Sequence, residues 1–347
     1  MSGKKKKDLQ EIGEFGLIRL LTETIELKNK TTIKGVGDDA AVVSMGDLQT
    51  VLTTDLLTEG IHFDLIYTPL KHLGYKAVIV NLSDVYAMNA IPSQILVSIA
   101  VSSKFTTEMI EELYEGIHKA CKFYGVDLIG GDTNSSLTGL TISITAVGAV
   151  PKERIVYRSG AKDKDLICVT GDLGAAYMGL QLLEREKRLF NKSNSIQPDL
   201  TGYDYILERQ LKPEARKDII QKLAENEIMP TAMIDISDGL SSEILHICDA
   251  SDKGCRLYID KIPVAEETRK MAVELSMEPV SISMNGGEDY ELLFTVNLAD
   301  YDKLVMIPGV HIIGHITPKK DGCYMVLPDG SLTEITALGW NSLKLRD

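Results

Sequence analysis

Lys34-Gly-Val-Gly-Asp-Asp-Ala-Ala-Val-Val43 is the stretch on which the rest of the sequence depends, because two glycines lead into two adjacent carboxylates and then into an apolar run. Gly35 and Gly37 permit backbone turns that a side chain would forbid. Adjacent like charges repel, so a folded chain holds Asp38 and Asp39 side by side only with a cation or hydrogen-bond donors between them. A hairpin turn with solvated aspartates explains the stretch equally well on its own.

Similar aspartates recur along the chain, and their recurrence favours a bound cation over a solvated turn. Further aspartates stand at the ends of apolar segments or inside them, namely Asp55, Asp84, Asp132, Asp235 and Asp238. Asp84 is the most demanding, because residues 71–90 are apolar almost all round and predict a buried helix. A buried carboxylate is costly unless it is paired or binds a metal. Asp235 and Asp238 flank a helix start, where an N-cap by Ser237 or Asp238 is the simpler alternative.

The composition is that of a globular protein with room for two domains and a sizeable core. The chain has 347 residues, of which 44% are hydrophobic and 25% charged. A formal net charge of −13 argues against nucleic acid or an anionic membrane surface as the main partner. The longest uncharged stretch, Val85–Ser103, contains Asn89 and Pro92 and alternates like a strand, so we predict no membrane span.

The cysteines indicate a reducing compartment. They are odd in number, scattered and without C-x-x-C spacing, at Cys121, Cys168, Cys248, Cys255 and Cys323. We expect reduced core residues rather than a disulfide set or a zinc site. No apolar core follows Lys4–Lys7, so we do not interpret the N-terminus as a signal peptide, and we predict a cytoplasmic protein.

The order of the predicted elements is typical of an α/β protein, in which each half repeats a strand, a Gly/Asp turn and a helix. In the first half we predict helices over residues 14–26, 71–90 and 107–124, and strands over 40–43, 50–57, 93–101, 126–129 and 140–150. In the second half we predict strands over 166–170, 231–234, 256–259, 291–296, 310–316 and 323–327, and helices over 175–187, 213–225, 240–250 and 266–275. The charged stretch 151–164 predicts a boundary between domains of residues 1–150 and 151–347.

The residue types favour magnesium chemistry. Carboxylates with Thr and Ser hydroxyls beside them are the oxygen ligands that Mg²⁺ prefers, and no His/Cys grouping competes for a softer metal. The sequence has neither a Walker motif nor a kinase-type glycine-rich loop followed by lysine. If the chain handles a nucleotide, several Mg²⁺ ions rather than a P-loop would neutralise most of the phosphate charge.

Seven motifs, together with His62, occur in one order along the chain. They are Gly35-Val-Gly-Asp-Asp-Ala-Ala-Val42, Thr53-Thr-Asp55, Asn81-Leu-Ser-Asp84, Gly130-Gly-Asp-Thr133, Tyr157-Arg-Ser-Gly-Ala161, Asp235-Ile-Ser-Asp-Gly-Leu240 and Gly286-Gly-Glu-Asp-Tyr-Glu-Leu292. In these motifs the sequence resembles the thiamine-monophosphate kinases, a family of the aminoimidazole-ribonucleotide-synthetase-like ATP-binding superfamily. The resemblance runs from about Glu11 to Trp340.

The resemblance implies direct in-line transfer from ATP to thiamine monophosphate, and two α/β domains in a homodimer whose N-terminal mixed sheets join into a barrel. It implies catalytic roles for Asp38, Asp84 and Asp235. The implied magnesium ligands are Asp38, Thr53, Thr54, Asp55, Asp84, Asp132, Asp235 and Asp238. The implied nucleotide contacts are Tyr114, Gly131, Asp132, Arg158 and Ser237, and the implied thiamine phosphate contacts are His62, Glu288 and Trp340. We assign no general base, and Asp39 is left out of the ligand set.

Other interpretations stay open at this point. A sibling enzyme of the superfamily would use Mg·ATP on another acceptor, but a selenophosphate synthetase should carry a reactive cysteine near its glycine loop, and no cysteine precedes Cys121. A non-catalytic relative should have lost some of the expected aspartates, and all are present. His62 and Arg158 could also be solvated, and Tyr114 and Trp340 could serve only packing.

Overall fold

The computed structural model of this chain describes residues 29–44, 46–192 and 198–337. The predicted helix over residues 14–26, most of the predicted loop over residues 191–197 and the single tryptophan Trp340 lie outside the described residues. Within the described ranges, no helix has both the length and the apolarity that crossing a membrane requires.

The first half of the chain forms a six-stranded mixed sheet. Its strands are β1 Thr32–Lys34, β2 Ala41–Ser44, β3 Leu48–Thr58, β4 Ile91–Val101, β5 Asp127–Ser135 and β6 Leu140–Pro151. Their order across the sheet is β1-β2-β3-β6-β4-β5, and all neighbours are antiparallel except β4 and β5. Inward-facing residues alternate with partly exposed ones along β6, so one face of the sheet is buried and the other is not.

Two helices cover the buried face, α1 over Leu70–Ala87 and α2 over Thr107–Tyr124. Most residues of α1 are buried, as its continuous apolar pattern predicts. Two glycines bring the helix axes close together. A Cβ atom on Gly74 would lie 2.0 Å from the carbonyl oxygen of Leu113, and one on Gly116 would lie 1.9 Å from that of Lys71.

The second half forms a seven-stranded sheet with helices packed around it. The strands are β7 Leu166–Thr170, β8 Ala232–Asp235, β9 Lys253–Tyr258, β10 Leu292–Val296, β11 Val310–Pro318, β12 Cys323–Val326 and β13 Leu332–Glu334, in the order β13-β12-β9-β11-β7-β10-β8. Only the β12–β9 pair is parallel. The helices are α3 Ala175–Lys192, α4 Asp204–Leu211, α5 Lys217–Glu225, α6 Leu240–Ser251, α7 Glu266–Glu274, α8 Pro279–Asn285 and α9 Tyr301–Leu304.

The two halves are joined through the middle of the molecule. One core of buried apolar side chains includes Leu82 and Val85 of α1 together with Met233 and Phe294 of the second sheet. The connection between the sheets is also held by backbone hydrogen bonds, since Met233 N donates to Tyr157 O at 3.0 Å. α1 therefore lies between the sheets, where residues from both halves can meet.

Three predicted elements are wrong in their extent by four residues or more. The helix that we ended at residue 187 continues as α3 to Lys192. The strand that we ended at Ile129 continues as β5 to Ser135, so Gly130–Thr133 is strand rather than turn. Gly131 makes this possible, because a Cβ atom there would lie 1.7 Å from Val97 O of the neighbouring strand. The helix predicted from Pro213 begins only at Lys217.

Tertiary contacts explain the later start of that helix. The backbone N–H of Ala215 donates to the hydroxyl of Tyr124 at 2.9 Å, and Glu214 accepts hydrogen bonds from Tyr75 and Tyr124, both at 2.7 Å. These contacts fix residues 212–216 in a non-helical form. The short helices α4 and α8 were not predicted, because helices of two turns carry too little periodicity to stand out.

Candidate active site

Three carboxylates from distant parts of the sequence meet between the two sheets. Oxygen atoms of Asp39, Asp84 and Asp235 all lie within 4.8 Å of one another. Asp39 comes from the glycine-rich stretch before β2, Asp84 from the last turn of α1 and Asp235 from the end of β8. The fold thus gathers the motifs that stood apart in the sequence, and we call these three residues with Asp38 and Asp55 the carboxylate cluster.

Asp55 and Asp38 complete this cluster. Asp55 lies on the inward face of β3, and its N–H donates to Asn81 Oδ1 of α1 at 3.1 Å. Asp38 Oδ1 accepts from the N–H of Arg158 at 3.0 Å. The second carboxylate oxygen of each residue, Oδ2, is buried and has no hydrogen-bond partner. Buried polar atoms without a hydrogen-bond partner are rare in proteins, so these two oxygens, of which Asp38 Oδ2 also lies 3.5 Å from Lys34 Nζ, indicate a missing ligand.

Positive charge within the described residues does not balance the cluster. Arg158 binds Asp39 through two hydrogen bonds of 3.1 Å, from Nε and Nη2. Lys34 Nζ lies 3.5 Å from Asp38 Oδ2. Five carboxylates therefore face these two cations, so the cluster holds an excess of acidic groups.

The pKa values of the carboxyl groups in the cluster reflect this excess of acidic groups over cations. Burial raises the pKa of Asp39, Asp55 and Asp235 to about 6 in each case. Burial also raises the pKa of Asp84 far above its usual range, and the neighbouring charges of Asp55, Asp235 and Asp39 add to the effect. Removing a carboxylate from water and placing it beside others disfavours ionisation, which a bound cation would reverse.

Hydroxyl groups orient two of the carboxylates. Thr53 Oγ1 donates to Asp84 Oδ2, and Ser83 Oγ donates to Asp235 Oδ2, both at 2.6 Å. The second of these bonds joins α1 of the first half to β8 of the second. Hydrogen bonds to carboxylates are short and strong, so they fix the direction in which the remaining oxygens point.

The segment from Gly286 to Glu291 closes one side of the site. Glu288 and Tyr290 both adopt positive φ angles, 66° and 51°, and their N–H groups donate to Ser237 O at 2.7 Å and Ile236 O at 2.9 Å. Non-glycine residues held in this region are strained and need such support. Burial raises the pKa of the Tyr290 phenol, and the negative charges of Glu288 and Asp55 raise it further.

Glu288 is bound to the first half of the molecule. Its Oε1 lies 3.0 Å from Nζ of Lys76, a buried lysine on α1, and its Oε2 accepts from Gln210 Nε2 at 2.9 Å. A substrate contact by Glu288 therefore has to share this carboxylate with Lys76.

The donor set fits magnesium. Mg²⁺ binds oxygen ligands in an octahedron with metal–oxygen distances of about 2.1 Å, which places ligand oxygens about 3–4 Å apart. The three oxygens that converge within 4.8 Å are consistent with that spacing. The Oδ2 atoms of Asp38 and Asp55, which have no hydrogen-bond partner, are further oxygen donors. All of these atoms are carboxylate oxygens, and no nitrogen or sulfur is in the set.

Several residues that the sequence singled out lie elsewhere. Thr54 is exposed on the opposite face of β3, where Oγ1 donates to Ile144 O at 3.1 Å, so its side chain does not reach the cluster. Asp132 is exposed on β5, where it pairs with Ser98 of β4, and two strands, β6 and β4, separate β5 from β3. Tyr114 packs against the first-half core, with its ring 6.1 Å from that of His118.

The other predicted residues lie nearer to the cluster or outside the described part. Ser237 and Asp238 follow Asp235 directly, and neither side chain caps α6, whose N-cap is Gly239. The N–H of Asp238 instead donates to Glu243 Oε1 at 2.9 Å. His62 Nδ1 accepts from the N–H of Thr58 at 3.0 Å in the turn after β3. Trp340 lies outside the described residues, so its stacking stays a prediction.

Asp39, which we left out of the predicted ligand set, is one of the three converging carboxylates. Sequence reasoning missed Ser83 and Tyr290, although both belong to motifs that we quoted. Lys76 carried the same signal as Asp84, because each is an ionisable residue in an almost wholly apolar helix.

Comparisons with known proteins agree on one group of enzymes. The N-terminal domain model of AIR synthase related proteins matches residues 37–150, and the C-terminal domain model matches residues 165–322. The thiamine-monophosphate kinase of Bacillus subtilis is 32% identical over 95% of this chain and 99% of its own length. That of Aquifex aeolicus is 34% identical over 83% of this chain and 87% of its own length.

A solved structure, AaThiL complexed with AMPPCP and TMP, matches the whole architecture. It shares 31% identity, covers 97% of this chain and 99% of its own, and superposes with a TM-score of 0.82. The two-domain arrangement with its mixed sheets is therefore the AIR-synthase-like fold, as the sequence predicted.

Proposed function

The chain belongs to the thiamine-monophosphate kinase family, and we propose that it transfers the γ-phosphoryl group of ATP in line to thiamine monophosphate, giving ADP and thiamine diphosphate. The observation that carries this proposal is the excess of buried carboxylates over cations between the two sheets. A polyphosphate bound with divalent cations would satisfy that excess.

Asp38, Asp39, Asp55, Asp84 and Asp235 would hold magnesium. Mg²⁺ held there would supply positive charge that offsets the repulsion between two phosphate groups. Thr53, Thr54, Asp132 and Asp238 stay proposed ligands on the strength of the sequence motifs. For Thr54 the proposal is confined to its main chain, because its side chain faces away from the cluster.

The chain's own part in the reaction is positioning. Arg158 holds Asp38 through its N–H and Asp39 through its guanidinium, which keeps the glycine-rich stretch against the second sheet. Thr53 and Ser83 fix Asp84 and Asp235. Holding reacting groups in line accounts for much of the rate of phosphoryl transfer, because the step requires little covalent assistance from the protein.

A general base is not needed for this acceptor. The attacking atom is a phosphate oxygen of thiamine monophosphate, and a phosphate monoester is already largely ionised near neutral pH, with a second pKa of about 6. In agreement with this, the group of converging ligand atoms that Asp39, Asp84 and Asp235 form among the described residues includes no histidine nitrogen. We propose that Arg158 and Ser237 contact the nucleotide, with Tyr114 and Gly131, and that His62, Glu288 and Trp340 contact thiamine phosphate.

We further propose that two copies of the chain associate through the first sheet. β5 pairs only with β4 among the described strands, which leaves one of its edges open. The solvent-facing side of this sheet exposes several large apolar residues, including Leu56, Ile91, Leu96 and Ile129. An open edge beside exposed apolar residues favours a partner strand. Light scattering should give the mass of a dimer, and Ile129→Asp should shift it towards the monomer.

The activity is tested by phosphorus NMR on purified protein with Mg·ATP and thiamine monophosphate. The proposal predicts ADP and the two coupled signals of thiamine diphosphate, without inorganic phosphate. ADP with free phosphate and no diphosphate would contradict it and favour a sibling synthetase that activates another acceptor. Asp84→Asn is the matched control, because it keeps the shape of the side chain and should give neither product.

The expected compartment is the cytoplasm. All five cysteines are free thiols and four of them are buried, as expected of a protein kept in a reducing environment.

A further inference from the structure

Three thiols converge in the second half of the molecule, one near the end of α6 and one each on β9 and β12. The Sγ atoms of Cys248, Cys255 and Cys323 all lie within 4.8 Å of one another. Cys248 and Cys255 are buried, Cys323 is half-buried, and none forms a disulfide. We call these residues the thiol cluster. Its members looked scattered in the sequence because β12, which carries Cys323, is remote from the other two along the chain.

The scaffold brings the three residues together by rigid elements. α6 ends at Ser251 and turns through Asp252, at φ 56°, directly into β9, which places Cys248 near Cys255. Cys323 lies opposite Cys255 in the parallel β9–β12 pair. The thiol cluster is thus built on one helix and two strands, which hold ligands more accurately than loops do.

Gly254 of β9 and Gly322, just before β12, allow the two chain segments to approach closely beside the thiol cluster. The N–H of Cys255 donates to Gly322 O at 3.1 Å, and a Cβ atom on Gly254 would lie 2.4 Å from the same oxygen. On the other side, Ile335 N donates to Cys323 O at 3.0 Å. The backbone around the thiol cluster is therefore fixed before any ligand binds.

One cation, Arg256, lies beside the three thiols. The guanidinium of Arg256 donates to the carbonyl oxygens of Cys255 at 2.8 Å and of Gly322 at 3.0 Å, and it lies 5.0 Å from the centre of the Tyr324 ring. Three thiolates around a divalent ion carry one net negative charge, which one guanidinium offsets. A metal–sulfur distance of about 2.3 Å places thiolate sulfurs about 4 Å apart, within the observed limit.

We propose that Cys248, Cys255 and Cys323 form a three-thiolate binding site for a thiophilic d¹⁰ cation, Zn²⁺ or Cu⁺, separate from the magnesium site. Soft thiolates select these ions over Mg²⁺, which prefers oxygen. Binding releases the three thiol protons to solvent and forms three metal–sulfur bonds, without oxidation or reduction. The half-exposed side at Cys323 is where the ion enters and where a water completes the coordination of Zn²⁺.

Bound metal would restrain the C-terminal end of α6, a helix that begins at the active site. α6 begins directly after the Asp235–Gly239 stretch, and its far end carries Cys248. Twelve residues make this helix about 18 Å long. The site would stabilise the second half of the molecule from the face opposite to catalysis.

The test uses the full chain, purified with a non-thiol reductant and excess Mg²⁺ to occupy the carboxylates. The protein is dialysed separately with Zn²⁺ or with Cu⁺ under anaerobic conditions, and bound metal is measured by mass spectrometry of the elements. The proposal predicts one tightly bound ion of either metal per chain and a higher melting temperature. Co²⁺ should produce the near-ultraviolet charge-transfer absorption of cobalt–thiolate bonds, which carboxylate ligands do not give.

Cys323→Ser is the first variant, because its side chain is half-exposed and its loss should leave the fold intact. We expect at least a tenfold loss of Zn²⁺ affinity and a weaker cobalt–thiolate band. Cys121→Ser, a buried cysteine on α2, is the control and should bind metal as the wild type does. Substoichiometric binding of both metals by the wild type would overturn the proposal, and so would an equal loss in Cys323→Ser and Cys121→Ser.

Discussion

Two buried carboxylates, Glu291 and Asp235 of the carboxylate cluster, lie close to each other in the second sheet but differ in what neutralises them. Glu291 is held by two arginines, with Oε1 2.9 Å from Arg209 Nη2 and Oε2 2.8 Å from Arg216 Nη1, and it also accepts from the Thr170 hydroxyl. Asp235, which lies beside Leu292 in the β8–β10 pair, accepts from a serine hydroxyl and faces other carboxylates.

The difference separates a structural ion pair from a binding site. The protein itself supplies the counter-charges of Glu291, so this group gains nothing from an added cation. The carboxylate cluster retains buried oxygens without partners and raised pKa values, and a ligand must supply what is missing. Isosteric amide substitutions should therefore have opposite consequences in the two places.

The largest effect is expected from Asp84→Asn. Neutralising Asp84 removes a charge from the proposed metal site, and we expect kcat to fall about 10³-fold, equivalent to about 4 kcal/mol of transition-state stabilisation. Stability without Mg²⁺ should be unchanged or higher, because a carboxylate crowded by like charges is lost. ADP release and thermal unfolding measure the two quantities, and near-normal turnover would rule out the role of Asp84.

Glu291→Gln should instead lower stability. The amide leaves Arg209 and Arg216 buried with too little negative charge, which we expect to cost about 3 kcal/mol and to lower the melting temperature by about 5 °C or more. Mg²⁺ should still raise the melting temperature of this variant as it does that of the wild type. An unaltered melting temperature would show that the two arginines do not depend on Glu291.

The next largest effect is expected in how the stability of the protein without Mg²⁺ depends on pH. Because the pKa values of Asp39, Asp55 and Asp235 are raised from 3.8 to about 6, the folded chain binds more protons than the unfolded chain between those values. The free energy of unfolding contributed by these groups therefore decreases as the pH rises from about 4 to above 6.

Urea unfolding at pH 5 and pH 7.5 measures this effect. A pKa raised from 3.8 to about 6 contributes about 1.4 kcal/mol at pH 5 and almost nothing at pH 7.5 for one independent group, so we expect the wild type to lose about 1.4 kcal/mol more than Asp235→Asn does over this interval. Saturating Mg²⁺ should remove the difference by favouring the ionised forms. Equal pH dependence in the two proteins would contradict the raised pKa values.

The smallest effects concern the hydroxyl tethers. Ser83→Ala removes the donor to Asp235 and should lower kcat about tenfold, equivalent to about 1.4 kcal/mol, with little change in stability. Thr170→Val removes the donor to Glu291 and should lower the free energy of unfolding by about 1–2 kcal/mol. If both substitutions affected stability alone, Ser83 would have no role in orienting the site.

The sequence predicted most elements of the fold and singled out four of the five aspartates of the cluster, all except Asp39. Long periodic segments such as α2 were predicted to the residue, with Gly125 in the left-handed region ending the helix at φ 73°. The alternation of side chains along a strand separates Thr54 from Thr53 and Asp55, and this signal was available but unused. The exposed position of Asp132 was not predictable, because it depends on which strand β5 pairs with.

Contacts between remote segments escaped prediction for a common reason. The pairing of Arg158 with Asp39, the hydrogen bond from Ser83 to Asp235 and the meeting of Cys248 with Cys323 each join positions far apart in the chain. Their distances follow from strand order and register, which local pattern does not fix.

Counting the bound metal ions is the most direct test of the claim that the carboxylate cluster is a divalent-cation site. Mn²⁺ replaces Mg²⁺, and the free ion is measured by electron paramagnetic resonance in the presence of AMPPCP. We predict equal stoichiometry for the wild type and Glu291→Gln, and at least one ion fewer for Asp84→Asn. Binding by Asp84→Asn with the stoichiometry and affinity of the wild type would contradict this claim.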